Sequence, residues 1–377
     1  MSREKEYTLG ELLTYEQPTP YIVESADYDD SYETPVLTAG KSFILGCTNE
    51  KHGIFDQLPV IIFDDFTTAS QYVNFKFKVK SSAMKILTPV KELVLPKYIY
   101  YRMQIINFDH STHKRYWIQQ YSKIRVSIPP LSEQEWIVAR IEELFSQLDS
   151  GVETLRKTKQ QLAVYRQAVL KEAFDSVGGY DCAIEDVCKE IKVGIVIKPT
   201  QYYVESGGVR AFRNANVRRG YIDDCDWVMI SQDGHQQNKK SEVHEGDVLI
   251  SRSGANLGMA SPVSQKYDGY NAIDIVIAVP KTDVILPAFL AHYTNSPAGR
   301  SIVKTNERGA AQGHLNVSVY GRLPITIPSL EDQHALVSRI EDKLSVCDSI
   351  EQTVDMALQQ TNAMRQSILK QAFEGAL

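Results

Sequence analysis

No stretch of this chain is apolar enough to cross a bilayer. Apolar runs such as Leu58–Phe63 and Ala272–Pro280, the latter broken by Asp274, fall far short of the ~18 residues a spanning helix needs. No apolar core follows Met1-Ser2-Arg3-Glu4-Lys5-Glu6, so no secretory signal is visible and no membrane is implied. The expected location is the cytoplasm. Cysteine is scarce: Cys47, Cys182, Cys188, Cys225 and Cys347 are the five, irregularly spaced and without a CxxC pair. That argues against a disulfide framework and a structural zinc site, and for buried small hydrophobes in a reducing compartment.

Catalytic signatures are missing as well. The sequence holds no GxGxxG, P-loop, HExxH or nucleophile elbow. Ile128-Pro129-Pro130-Leu131 lacks the polar residue that an amino-methyltransferase sets against its target amine. His110 and His113 stand three apart with no third metal ligand in view, so solvated or hydrogen-bonding roles are preferred. Asp64-Asp65 reads as an end-of-strand turn rather than a metal-binding pair. The expectation is a chain with no catalytic centre and no metal of its own.

What is there is the composition of a soluble globular protein. The chain has 377 residues, 43% of them hydrophobic and 23% charged, which predicts two or three domains. The net charge of −6 hides an uneven distribution. Residues 1–70 carry 4 basic and 13 acidic side chains, whereas residues 71–131 carry 11 basic and 2 acidic. Residues 189–222 hold seven basic groups against Glu190 and Glu205. A polyanion needs local positive potential rather than global positive charge. Charge alone leaves polyanion contact and ordinary solvated surface level.

An internal repeat is the strongest signal. Ile128-Pro129-Pro130-Leu131-Ser132-Glu133-Gln134 matches Ile327-Pro328-Ser329-Leu330-Glu331-Asp332-Gln333 at an offset of 199, and 20 of the 47 positions from 128 to 174 are identical without a gap. Arg140-Ile141-Glu142, Asp149-Ser150, Gln160-Gln161, Arg166-Gln167, Leu170-Lys171 and Ala173-Phe174 all recur.

Each copy reads as one helix of about 40 residues, hence ~60 Å long. Ile141, Phe145, Leu148, Val152, Leu155, Leu162 and Val169 alternate four and three apart, the seam of a coiled coil. Ile340, Leu344, Cys347, Val354, Leu358 and Ile368 fall in the same frame. Lys159 and Arg166 interrupt the first seam, and Glu351, Thr361 and Arg365 the second. Ser132 with Glu135 is expected to form a capping box, with Leu131 and Trp136 as a hydrophobic staple.

A helix with one apolar seam is unstable alone. The simplest partner of each copy is the other, paired antiparallel about an approximate two-fold axis within the chain. Lys159, Arg166 and Arg365 are then expected to meet Glu351 or backbone acceptors and set the register.

The fold class is therefore α+β: two globular heads separated by a pair of long antiparallel coiled-coil helices. The expected boundaries are 1–131 and 177–330 for the heads, and 132–176 and 331–377 for the helices. Val60–Phe63, Val73–Val79, Asp247–Ser251 and Ile273–Val279 read as strands, with turns at Asp268-Gly269 and Glu245-Gly246. Leu95–Ile105 and Leu286–Thr294 read as helices. The heads resemble each other poorly although each precedes a closely similar helix.

Recognition chemistry is what remains to be placed. Arg210, Arg213, Asn214, Asn216, Arg218 and Arg219 combine groups that reach phosphates and that read base edges. Arg252, Ser253 and Asn256 follow a strand-like run, and Gln312, His314 and Asn316 precede the second long helix. In the first head, Thr67, Thr68 and Ser70 precede Lys76 and Lys78, and Lys114 and Arg115 stand beside Tyr116 and Trp117. For any one of these residues a solvated loop or cap is as good a reading. Together, in both heads, they point to double-stranded DNA.

The pattern resembles the specificity subunit of type I restriction–modification systems over essentially the whole chain. The resemblance rests on the duplicated boundary motifs, on Glu245-Gly246-Asp247-Val248-Leu249-Ile250-Ser251-Arg252-Ser253-Gly254, on Ile62-Phe63-Asp64-Asp65-Phe66-Thr67-Thr68 and on Lys80-Ser81-Ser82-Ala83-Met84-Lys85. It implies two target-recognition domains, each reading half of a bipartite DNA site, with the helices setting the unread spacer. It further implies two methyltransferase subunits, carrying S-adenosylmethionine and methylating adenine, and restriction subunits that cut unmodified DNA. No cofactor is expected on this chain itself. One rival is a coiled-coil protein-interaction scaffold without DNA reading. The other is an enzyme with a site assembled from its heads.

Overall fold

The computed structural model describes residues 4–38, 42–109, 115–301 and 314–375. Four helices organise it: α1 (Pro96–Met103), α2 (Leu131–Asp175), α3 (Pro287–Asn295) and α4 (Leu330–Phe373). The chain forms two compact units. One is Met1–Leu155 with Asp355–Leu377, and the other is Arg156–Val354. Each unit contains the start of one long helix and the end of the other.

In the first unit an antiparallel four-stranded sheet runs in the order Leu13–Glu16, Met84–Pro89, Val60–Asp64, Ser70–Val73. Its central strand is buried along its whole length. Ile61 and Phe63 face a core shared with α1, while Val60 and Ile62 face a second core. That is why Val60-Ile61-Ile62-Phe63 is a continuous apolar run rather than an alternating one. A second sheet pairs Thr34–Leu37 with Ile44–Thr48 antiparallel and with Lys78–Val79 parallel. The ribbon Lys5–Thr8 with Arg125–Ile128 leads into α2.

The second unit repeats this plan. Its main sheet has the order Cys188–Val193, Ile275–Pro280, Val248–Ser251, Ala260–Pro262, again antiparallel throughout. Val248 and Ile250 face the core of α3, and Leu249 faces the opposite one. A second sheet again contains one parallel pair, Val209–Phe212 with Asn271–Ala272. The ribbon Tyr180–Ala183 with Pro324–Ile327 leads into α4. The two heads share one topology that their sequences conceal.

The repeated motifs seat each head on its helix ends. Gln134 is fully buried; its Oε1 accepts from Leu95 N at 2.8 Å, and its Nε2 donates to Leu93 O and Pro129 O. Gln333 does the same with Leu286 N at 2.9 Å, Val284 O and Pro328 O. Phe373, ending α4, packs edge-on against Tyr98 of α1 at 5.3 Å, and Phe174, ending α2, packs likewise on Phe289 of α3 at 5.3 Å. Ile137 and Ile141 join Leu369 and Ala372 in the first core; Leu170 joins Leu336, Val337 and Ile340 in the second.

The helices pair antiparallel in both units. In the first, Arg365 of α4 lies 4.8 Å over the ring of Phe145 and is paired to Asp149 of α2. In the second, Arg166 donates to Asp348 at 2.6 Å and Glu351 at 2.8 Å, Lys159 approaches Glu351 at 3.5 Å, and Lys343 meets Glu172 at 3.3 Å. Every seam residue is buried or half-buried. Lys159 and Arg166 thus meet Glu351 across the seam as expected, whereas Arg365 takes Asp149 rather than Glu351.

Three local expectations are corrected. Helix α2 begins at Leu131, with Glu133 N and Gln134 N both donating to Pro130 O. Ser132 is therefore inside the first turn and forms no capping box with Glu135. Leu131 and Trp136 are 37% and 57% exposed, so no staple forms. It is α4 that has a side-chain cap, Ser329 Oγ accepting from Asp332 N at 3.2 Å. Val73–Val79 is not one strand. It is split between Ser70–Val73 and Lys78–Val79 because the chain crosses from one sheet to the other there.

Candidate nucleic-acid interface

In the second unit one asparagine gathers three of the sequence segments. Asn214 Oδ1 accepts from Arg252 N at 2.6 Å and from Ser251 Oγ at 3.0 Å, and its Nδ2 donates to Ser253 Oγ at 3.0 Å and Asp274 O at 3.1 Å. Its backbone carbonyl accepts from Asn256 Nδ2 at 2.9 Å. Arg252 then donates to Asp274 Oδ1 at 2.7 Å and to Leu315 O at 3.0 Å. His314 lies 3.9 Å from the other oxygen of Asp274. Segments that are far apart in sequence, 213–219, 251–256 and 314–316, become one polar surface. Asp274 holds it together from a left-handed backbone position, φ 52°.

The cost of this assembly is that several candidate DNA contacts are internally engaged. Asn216 is buried, accepting from Arg213 N and donating to Asp223 O and Cys225 O. Arg213 donates to Asp226 O. Arg218 holds Asp223 Oδ2 at 3.0 Å and Asn256 Oδ1 at 2.8 Å. That hydrogen bond, more than any other influence, keeps the Asp223 carboxyl below its ordinary pKa. Asn214, Asn216, Ser253 and Asn256 are therefore scaffolding. Arg219, His314 and Asn316 remain exposed, as does Arg210, with Tyr270 Oη 3.4 Å away. Of these, Asn316 also lines a 690 Å³ cleft, together with Arg252, Lys189 and Glu190.

In the first unit Asp64 closes the turn after its strand. Its carboxylate accepts from Phe66 N at 2.8 Å and Thr67 Oγ1 at 2.7 Å, and Thr68 follows with φ 57°. The end-of-strand reading holds, and Thr67 is a turn residue. Ser70 is buried and accepts from Gln104 Nε2 at 2.8 Å. Lys78 is only 3% exposed, its ammonium shared by Glu50 at 2.8 Å and His52 O at 2.6 Å. It cannot reach DNA from there without breaking that pair. Lys76 is exposed, and Arg115 lies 5.9 Å over the exposed ring of Phe66. Tyr116 and Trp117 are core residues at 1% exposure, not stacking platforms. Lys114 and Gln312, like His110 and His113, lie outside the described residues.

Sequence reasoning assigned Asp65 no role beyond a turn, Lys85 none beyond a motif, and Asp223 and Asp274 none at all. Lys85 and Asp65 form a buried pair at 3.5 Å, and Asp65 also accepts from Trp117 N at 2.8 Å. Only the short spacing of Arg218 and Asp223 was visible in the sequence; the other partners are distant. Among the described residues no group of three His, Cys, Asp or Glu side chains is placed to hold a metal, and no helix is long and apolar enough to cross a membrane.

Two α+β heads of one topology, each seated on a paired-helix frame and each carrying exposed basic residues, define a duplicated recognition protein. The profile described as "Type I restriction modification DNA specificity domain" matches residues 1–163. The Escherichia coli type I restriction enzyme EcoR124I/EcoR124II specificity subunit is 30% identical over 356 residues, 91% of this chain and 87% of that one. The Escherichia coli EcoBI specificity subunit is 29% identical over 274 residues, 66% of this chain and 58% of that one. The chain belongs to the family of type I restriction enzyme specificity subunits.

Solved structures agree on the fold. One, described as the structural basis underlying complex assembly and conformational transition of the type I R-M system, matches with TM-score 0.70 at 16% identity over the whole of both chains. The HsdS subunit from Thermoanaerobacter tengcongensis matches with TM-score 0.52 at 16% identity, over 99% of this chain and 97% of that one.

Proposed function

We propose that this chain reads a bipartite DNA site, one half with each head, and scaffolds the modification subunits of a type I restriction–modification complex. The observation that carries this is the duplication: one fold occurs twice on one helix repeat, while the exposed loop residues differ between the copies. Conserved frame and divergent surface suit two unlike half-sites. Membership of the specificity-subunit family supports the same reading and disfavours a scaffold without DNA.

Chemistry belongs to the partners in this reading. Two methyltransferase subunits supply S-adenosylmethionine and methylate adenine, restriction subunits join to cut unmodified DNA, and the complex works in the cytoplasm. This chain contributes specificity and no catalytic group. Its exposed arginines make binding salt-dependent by displacing counterions from phosphates, and an adenine offered for methylation has to leave the base stack.

The test is genomic methylation mapping in a host carrying this chain with its modification subunits, against a deletion of this chain alone. Loss of a bipartite adenine motif is the expected result. An unchanged methylation pattern would overturn the reading and favour the scaffold. Methylation by the purified single chain with cofactor would overturn its non-catalytic role.

A further inference from the structure

Most arginines on the polar surface of the second unit are already spoken for. Arg218 donates to Asp223 and Asn256, and Arg252 to Asp274 and Leu315 O, while Arg213 donates to Asp226 O through one Nη although its buried Nε has no partner. Arg219 and Arg300 differ. Arg219 is exposed and makes no side-chain hydrogen bond or ion pair with a described residue. Arg300 is half-buried, and its Nη1 is buried without a hydrogen-bond partner.

Both belong to segments that dock on the same strand, Ala260–Pro262. Gly220, next to Arg219, donates its N–H to Ala260 O at 2.9 Å. Asn295 grips the same Ala260 from α3, accepting from its N–H at 3.0 Å and donating to its carbonyl at 2.8 Å. Arg300 N then donates to Ser296 O at 3.0 Å, fixing the arginine one turn beyond α3. A side chain at Gly220 would meet His292 Cε1 of α3 at 4.0 Å. The two arginine-bearing segments are thus neighbours braced through Asn295. Burial pulls the Arg300 pKa below its ordinary value, and the charge of Arg219 pulls it further.

A buried donor without an acceptor, beside a like charge, is unfavourable in the free protein. An anion beside the two guanidinia offsets the like charge, and an outward turn of the half-buried Arg300 side chain gives Nη1 its acceptor. Arginine forks suit the tetrahedral oxygens of a phosphate, which accept from both sides. We propose that Arg219 and Arg300 together clamp one backbone phosphate of the bound DNA. Arg300 was not among the residues singled out from the sequence. The proposal rests on the DNA-reading function above and adds a site to it.

The experiment measures binding of the full-length chain to a mixed-sequence duplex across a salt titration, for wild type, Arg219→Ala, Arg300→Gln, Arg300→Lys and the Arg219/Arg300 double variant. Each neutral single variant should lower the slope of log affinity against log salt by about 1. The double variant should lose little more than either single, because both side chains hold one phosphate. Arg300→Lys should restore part of the slope. The thermal midpoint of Arg300→Gln without DNA should be unchanged or raised, since an unpaired buried charge is removed.

An unaltered slope in Arg300→Gln would overturn the clamp while leaving DNA reading intact. So would additive losses in the double variant, which mean separate phosphates. A lowered midpoint with a normal slope would assign Arg300 a structural role instead. Failure of the wild-type chain to bind the duplex would overturn the DNA-reading function itself, and the clamp with it.

Discussion

Gln134 and Gln333, 199 positions apart, make the same three hydrogen bonds in their respective units: each accepts from the N–H of the residue before a head helix and donates to two carbonyls. Conservation of this amide within the repeat therefore has a packing cause. The glutamine is the buried latch between a head and its long helix. Gln134→Leu would leave Leu95 N–H, Leu93 O and Pro129 O without that partner. At roughly 1–3 kcal/mol for an orphaned buried group, the loss should be about 3 kcal/mol or more. Urea unfolding of wild type and variant measures it; a change below about 0.5 kcal/mol would contradict the latch, being the size of an ordinary surface substitution.

Arg166 bridges the two long helices in the second unit, with Asp348 and Glu351 at 2.6 and 2.8 Å. The groups are partly solvated, so the coupling should be modest, about 1 kcal/mol. A double-mutant cycle with Arg166→Ala and Glu351→Ala measures it. Additive single effects would show that the seam apolar residues set the register without it.

Leu155 is a half-buried seam position in the middle of α2. Proline there removes a backbone donor and clashes with the preceding turn, a penalty of ~3 kcal/mol or more. Leu155→Pro should reduce helicity by circular dichroism and abolish co-purification with modification subunits. Normal assembly of the variant would rule out a continuous helix as the frame.

Replacing Arg218 and Arg219 together confuses two roles. Arg218 supports Asp223 and Asn256 internally, whereas Arg219 is exposed. Arg218→Ala should lower stability by about 1–2 kcal/mol, as expected for hydrogen bonds to a charged partner discounted for partial exposure. Arg219→Ala should leave the thermal midpoint unchanged and weaken DNA binding. Equal midpoint losses in both variants would refute the division.

His292 is buried in α3, and burial lowers its pKa from 6.5 to about 4, with Glu341 Oε1 3.8 Å from its Nε2. The unfolded chain then binds the proton more readily than the folded one. Stability from this group is complete above about pH 6.5, falls as pH drops toward about 4, and is gone below. The full difference is at most about 3 kcal/mol. His292→Gln should flatten the stability profile across that window. A variant profile parallel to wild type would show that other groups govern the acid side.

Helix frame and seam were legible in the sequence because they are local. The 3.5-residue spacing that makes Ile141, Phe145, Leu148 and Val152 neighbours is a property of one helix, and the repeat at offset 199 supplied its partner. The strand at Val60–Phe63 was legible for the same reason: four buried apolar residues in a row leave an unbroken apolar run. The shared topology of the heads was not, because different side chains can fill the same two-sided sheet. Nor was the fate of the polar candidates. Nothing local distinguishes Lys78 from Lys76, yet one is paired to Glu50 in the interior and the other faces solvent. Asn214 and Asn216 sit in a stretch that reads as a recognition loop, but partners as distant as Asp274 convert Asn214 into scaffold. By itself the sequence determined the family and the helix frame, which depend on periodicity and repetition. Only the tertiary structure decided which charges are spent inside the protein and which are left for a ligand, since that depends on partners brought together from across the chain.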